Sequence, residues 1–158
     1  MIKVLFVCLG NICRSPTAHA VFTGLVKARG LEDRILVDSA GTSDWHIGKA
    51  PDPRSIATAL ERGVDLSQLR GSQVRSEDFQ VYDYILAMDQ QNLVDLQALQ
   101  PADFAGRLDL FMRFAPEMGV EEVPDPYYGG QEGFVHVVDL IEAASAGLLQ
   151  HIIEQDGQ

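Results

Sequence analysis

Two cysteines in 158 residues are too few for a disulfide framework, and a chain of this length does not need one. Long hydrophobic runs are also missing. The longest purely apolar stretch, Val4–Leu9, falls far short of the ~18 residues that a membrane span needs. Basic residues are scarce, with 12 Lys and Arg against 23 Asp and Glu, a net charge of −11. A chain this acidic repels nucleic acid and anionic membrane surfaces, so neither is an expected partner. There is no internal repeat, low-complexity tract or linker, no G-x-G-x-x-G and no Walker lysine, which excludes the common nucleotide loops. The four histidines are scattered without ligand spacing, and two thiols alone make a poor zinc site, so no metal and no cofactor are expected.

What is present is ordinary for a soluble globular protein: 46% apolar and 22% charged residues. The length suits one domain over residues 1–158, large enough to bury a core. Free thiols point to a reducing compartment, and the expected location is cytoplasmic. Lys3 before an apolar run and the Ala18-His19-Ala20 triplet imitate a secretory signal, but Asn11, Arg14 and Pro16 interrupt it.

Strand and helix patterns alternate. Val4–Val7 reads as a strand buried on both faces, ended by Gly10-Asn11. Ser15-Pro16 reads as N-cap and first helical residue of a helix to about Arg29. A second strand covers Arg34–Ser39, and a helix runs from about Pro53 to Arg62. A third strand covers Tyr82–Met88, and Asp89 is placed to cap a helix ending near Leu99. A fourth strand covers Leu108–Phe111. Residues 112–130 form a proline-bearing loop, and a last helix covers about Gly133–Gln155. Strands separated by helices predict an α/β fold with a parallel sheet, its ligand site at the carboxyl ends of the strands. The pattern gives no strand order.

Charge is uneven. Residues 1–30 hold Lys3, Arg14, Lys27 and Arg29 and no acid, so this segment is +4 in a chain whose remainder is −15. The string Cys8-Leu9-Gly10-Asn11-Ile12-Cys13-Arg14-Ser15-Pro16 lies there, between the first strand and the first helix. A loop wrapped at a helix N-terminus turns successive backbone N–H groups inward and suits a tetrahedral oxyanion. Gly10 and Asn11 tolerate left-handed backbone. Arg14 offers a planar fork for two anion oxygens. Such surroundings favour thiolate over thiol, which suits Cys8 as a nucleophile. Ser15 is free to cap the helix, to bond that sulfur, or both. A lone strand-end cysteine is more often a small buried hydrophobe, but Arg14 six residues on and Ser15-Pro16 opening a helix favour the anion cradle.

This loop resembles the C-x5-R-S/T-P active-site loop of the low-molecular-weight protein tyrosine phosphatases. The resemblance runs on through Val37–Ser43, Trp45, Tyr84–Asp89 and Asp125-Pro126-Tyr127-Tyr128. It implies a single-domain four-stranded parallel sheet with helices on both faces. It implies Cys8 as nucleophile, Arg14 as oxyanion ligand and Asp125 as general acid, with Leu9, Gly10, Asn11, Ile12, Cys13, Arg14 and Ser15 binding phosphate. Asn11, Ser15 and Ser39 would brace the loop and Asp89 would orient Arg14. Leu9, Ile12, Trp45, Tyr127 and Tyr128 would wall a slot for a planar ring. Isoleucine at position 12 leans toward phosphotyrosine, because a related group that prefers phosphoarginine carries threonine there. Cys13 is expected as a redox partner of Cys8. His19 stands where the family commonly has an acid, and its position in the first helix predicts a surface side chain.

The activity so implied is hydrolysis of phosphotyrosine on protein substrates. An arsenate reductase would need further cysteines near the third strand, and residues 76–100 contain none. A non-enzymatic phosphate binder or thiol switch would have no use for Asp125.

Overall fold

Val4, Leu5, Phe6 and Val7 are all buried because their strand runs through the middle of the sheet. The computed structural model describes residues 1–127 and 129–156. The elements are β1 (Ile2–Cys8), α1 (Arg14–Ala28), β2 (Ile35–Gly41), α2 (Pro53–Glu61), β3 (Tyr84–Ala87), α3 (Gln90–Leu99), β4 (Arg107–Leu110) and α4 (Gln131–Asp156). Short 3₁₀ turns occupy Ser76–Gln80, Phe111–Phe114 and Pro116–Met118, parts of which were expected to be plain loop.

All strand pairs are parallel, in the order β2-β1-β3-β4. Alternation along β1 feeds two cores. Val4, Phe6 and Cys8 face α1 and α4, where Phe6 meets the Phe22 and Phe111 rings edge-on at 5.7 and 4.9 Å. Leu5 and Val7 face the other way, toward Phe79 and Leu96 of α3. The expected four-stranded parallel α/β fold with helices on both faces is therefore the fold observed.

Element ends shifted by two residues at most. β2 continues to Gly41, beyond the predicted Ser39, because the Gly41 carbonyl and N–H are both held by the 72–74 segment. The larger correction is at α1. The helix begins at Arg14 with Cys13 in the N-cap position, so Ser15 lies inside the first turn and does not cap it. Its hydroxyl is drawn instead to Cys8 and Asn11.

β1 pairs with β2 on one side and with β3 on the other, so the chain reverses its winding between β1 and β3. In open parallel sheets that switch point, at the carboxyl ends, leaves a crevice. The loop after β1 and the turn after β3 open there side by side.

Candidate active site

The loop from Cys8 to Ser15 is shaped by bonds made from outside it. Thr42, Ser43 and Asp52 donate their backbone N–H to the carbonyls of Cys8, Leu9 and Ile12 at 2.8, 3.0 and 2.8 Å. The described peptide bonds are trans. In a trans peptide the N–H points opposite to the C=O. The N–H groups of Leu9, Gly10 and Cys13 therefore turn away from those flanking segments, into the loop. Asn11 takes the left-handed backbone expected of it, with φ of 56°. Its N–H donates to Cys8 Sγ at 3.3 Å. Its side chain is locked at both ends: Nδ2 donates to Ser15 Oγ at 2.7 Å, and Oδ1 accepts from the Ser72 N–H at 2.9 Å. The one Ser15 hydroxyl proton faces Cys8 Sγ at 3.0 Å and the Ala40 carbonyl at 3.4 Å, and the shorter contact is to sulfur.

Gly41 makes this packing possible. A Cβ there would stand 2.8 Å from the Leu9 carbonyl oxygen and 3.1 Å from the Gly10 carbonyl carbon.

Arg14 is 3% exposed. Nη1 donates to Asp89 Oδ2 at 2.7 Å and to the Val123 carbonyl at 3.0 Å, while Nη2 lies 3.8 Å from Asp125 Oδ2. Burial opposes its charge, but Cys8 and Asp89 outweigh that and hold the guanidinium above its ordinary pKa. Asp89 serves twice, since its other oxygen caps α3 by accepting from the Asn92 N–H at 2.8 Å. Asp125 is 39% exposed, and its Oδ1 accepts from the Tyr127 N–H at 3.0 Å.

Cys8, Arg14 and Asp125 open onto one cleft of about 130 Å³, whose walls include Leu9, Gly10, Ile12, Cys13, Trp45 and Tyr127. Trp45 stands at the rim, 67% exposed. Tyr128 lies outside the described residues. His46 also lines the cleft, which the sequence reasoning missed. A Cβ at Gly10 would meet the His46 ring at 2.9 Å, a long-range approach that no pattern in the sequence reports. Ser72 was missed too, having no motif around it, and Val123 acts through its carbonyl, which no side-chain pattern reports.

Three expectations need restating. Ser39 reaches the loop through Ser72: its carbonyl accepts from Ser72 Oγ at 3.1 Å, while its hydroxyl pairs with His19 Nδ1 at 3.1 Å. His19 is accordingly not a surface side chain but only 17% exposed, because β2 packs across the first turns of α1. Burial lowers its pKa, with Asp38 at 3.9 Å pulling the other way. Cys13, a free thiol like Cys8, is buried. Desolvation, with the nearby Asp52 carboxylate adding to it, pushes the Cys13 pKa up to about 12. Among the described residues no three His, Cys, Asp or Glu side chains converge to hold a metal ion, and no helix is long and apolar enough to cross a membrane.

Comparison with known proteins agrees with this architecture. The family model described as low molecular weight phosphotyrosine protein phosphatase matches residues 3–158. The low molecular weight phosphotyrosine protein phosphatase of Schizosaccharomyces pombe is 44% identical over 134 residues, covering 84% of this chain and 85% of that protein. A crystal structure of a protein tyrosine phosphatase from Entamoeba histolytica, with Hepes in its active site, superposes with a TM-score of 0.93. It is 38% identical and covers 99% of each chain. A Drosophila arginine phosphatase structure superposes with a TM-score of 0.89 at 34% identity, covering 96% of this chain and 98% of that one.

Proposed function

The chain belongs to the low molecular weight phosphotyrosine protein phosphatase family, and from that premise we propose that it hydrolyses phosphotyrosine on proteins, and small aryl phosphates, through a cysteinyl-phosphate intermediate and without a metal. The observation that carries this reading is the meeting of the Cys8 sulfur, the buried Arg14 guanidinium and the Asp125 carboxyl in one cleft at the β1/β3 switch point.

The Cys8 thiolate attacks phosphorus in line with the leaving oxygen. The P–S bond forms as the P–O bond to the phenol breaks, and Asp125 gives its proton to that oxygen. The inward N–H groups of the loop and the Arg14 fork hold the three equatorial oxygens, where charge is spread in a loose transition state. Asp89 keeps the fork aimed, and Ser15 donates to the sulfur as it becomes a leaving group. Water then attacks the cysteinyl-phosphate, Asp125 takes its proton, and inorganic phosphate departs with Cys8 again a thiolate. Charge stabilisation comes from the chain itself, so no metal has work to do.

Leu9, Ile12, Trp45 and Tyr127 give the cleft apolar and aromatic walls that fit a planar ring. The acidic surface makes nucleic acid and anionic membranes poor partners, and two free thiols suit a cytoplasmic setting. Cys13 is proposed as the redox partner of Cys8. The test is turnover of a phosphotyrosine peptide, a phosphoarginine peptide and an aryl phosphate, each with and without a chelator. Preference for the phosphotyrosine peptide and no effect of the chelator are expected. Dependence on metal, or preference for phosphoarginine, would contradict the reading.

A further inference from the structure

Arg54 takes no part in the steps above, yet it joins the two loops that form the cleft. Its Nε and Nη2 donate to Asp52 Oδ1 and Oδ2 at 3.0 and 2.9 Å. Asp52 caps α2, and its own N–H holds the Ile12 carbonyl at 2.8 Å. The Arg54 side chain holds the Asp52 carboxyl below its usual pKa, so the pair stays ionised. The guanidinium also lies 4.6 Å from the centre of the buried Phe134 ring on α4 and 5.4 Å from that of Tyr127. Tyr127 in turn donates its N–H to Asp125 Oδ1. Contacts thus run unbroken from Ile12 through Asp52, Arg54 and Tyr127 to Asp125.

We propose that Arg54 is a positioning residue: it holds the Asp125 loop over the nucleophile loop and so aligns the proton donor with the leaving oxygen. The inference rests on Asp125 acting as general acid. The loop is held at several points. Before Asp125 it is pinned at Val123, whose N–H donates to the Met88 carbonyl at 2.8 Å and whose carbonyl accepts from Arg14. Immediately after Asp125, the Gly129 N–H to the Pro126 carbonyl is a bond within the loop itself. Pro126 is buried near Gly133 of α4, and Arg54 adds the contact that ties Tyr127 to the start of α2. Guanidinium is the right group, because a flat, weakly hydrated cation can lie against two rings while its edge meets a carboxylate. A lysine in its place keeps the charge for Asp52 but not the flat face.

An ordinary solvated ion pair on a helix cap would stabilise α2 and nothing more. The two roles separate by leaving group. The experiment measures kcat/KM for a series of aryl phosphates of graded leaving-group ability. The proteins are wild type, Arg54→Met, Arg54→Lys, Asp125→Asn and the Arg54→Met/Asp125→Asn double variant. Because a cation–aromatic contact and an exposed ion pair are each modest, Arg54→Met is expected to lose about 3- to 10-fold on the poorest leaving group and less than about 2-fold on the best. Arg54→Lys should fall between, and the double variant should match Asp125→Asn alone. The best-leaving substrate reports whether each variant is folded and competent, and if Arg54→Met does not fold, Arg54→Lys makes the same comparison. A uniform loss across the series, or losses that multiply in the double variant, while Asp125→Asn remains leaving-group selective, would overturn the Arg54 role and leave the acid intact. An unselective Asp125→Asn would remove the acid and the Arg54 role with it.

Discussion

Cys13 illustrates how one residue can be well placed for a reaction and poorly tuned for it. Cys13 and Cys8 both line the same cleft. Peroxide would oxidise the Cys8 thiolate to a sulfenic acid. Attack by Cys13 would then form the disulfide and release water, protecting Cys8 from the irreversible sulfinic stage. The attacking species is a thiolate, and burial holds the Cys13 pKa up at about 12. Closure should therefore be slow at neutral pH and quicken as pH rises. After matched peroxide exposure, dithiol reductant should restore a larger fraction of wild type than of Cys13→Ser. The wild-type fraction showing a two-hydrogen mass loss should grow with pH. Equal recovery of both proteins, with no such mass loss, would leave Cys13 a packing residue. At this scale the sequence was legible where rare residue types stand in fixed order: Cys8, Arg14 and Asp125 do meet in one cleft. It was not legible where a residue acts through its backbone, as Val123 does, or through a partner far along the chain, as Ser72 does.

The first turns of α1 carry both the loop's support and the main misreading. Ser15-Pro16 is a sound helix-start signal, yet the helix begins two residues earlier, because the Ser15 hydroxyl is worth more as a ligand of Cys8 and Asn11 than as a cap. His19 was read as a solvent-facing residue from helix position alone; periodicity cannot report that β2 passes close enough to bury it against Ser39. That burial has a pH consequence. Above pH ~6.5 His19 is neutral in both folded and unfolded chains and makes no difference to stability. Below it the unfolded chain binds a proton that the folded one resists, so stability falls with pH from there downward. Replacing His19 with glutamine removes the titration, and its melting temperature should decline less than that of wild type between pH 7.5 and 5.5. Parallel declines would mean that other groups set the acid limb. The end of β2 offers a second check. Gly41 does not have positive φ, so alanine there meets no backbone strain, but it does meet the Leu9 carbonyl oxygen, Gly10 and the Asn11 Cβ. Gly41→Ala should fold, but by pushing the loop aside it should lower kcat/KM on the order of 10²-fold, the cost of a shift of about 1 Å in a reacting group. Wild-type kinetics in Gly41→Ala would show that the loop gives way freely.

Across the whole molecule, strand and helix alternation made the α/β class and the parallel sheet legible, since a continuous apolar run such as Val4–Val7 has few other uses. Strand order was not legible, because β1 pairs with segments about 30 and 80 residues away and nothing local encodes which lies on which side. That order has functional weight: it brings the loop after β1 and the turn after β3 together, and with them Arg14 and Asp89. Of the four charges in the +4 segment, Arg14 is the one buried there, among Cys8, Asp89 and Asp125. The central claim is that this arrangement passes a phosphoryl group through the Cys8 sulfur. Its most direct measurement is to quench wild-type protein during turnover of an activated aryl phosphate, digest it, and locate covalent phosphate by mass spectrometry. Phosphate on the Cys8 sulfur, forming and decaying at rates compatible with turnover and absent from Cys8→Ser, is the predicted result. Full turnover with no phosphorylated Cys8, or with phosphate on another residue, would contradict it.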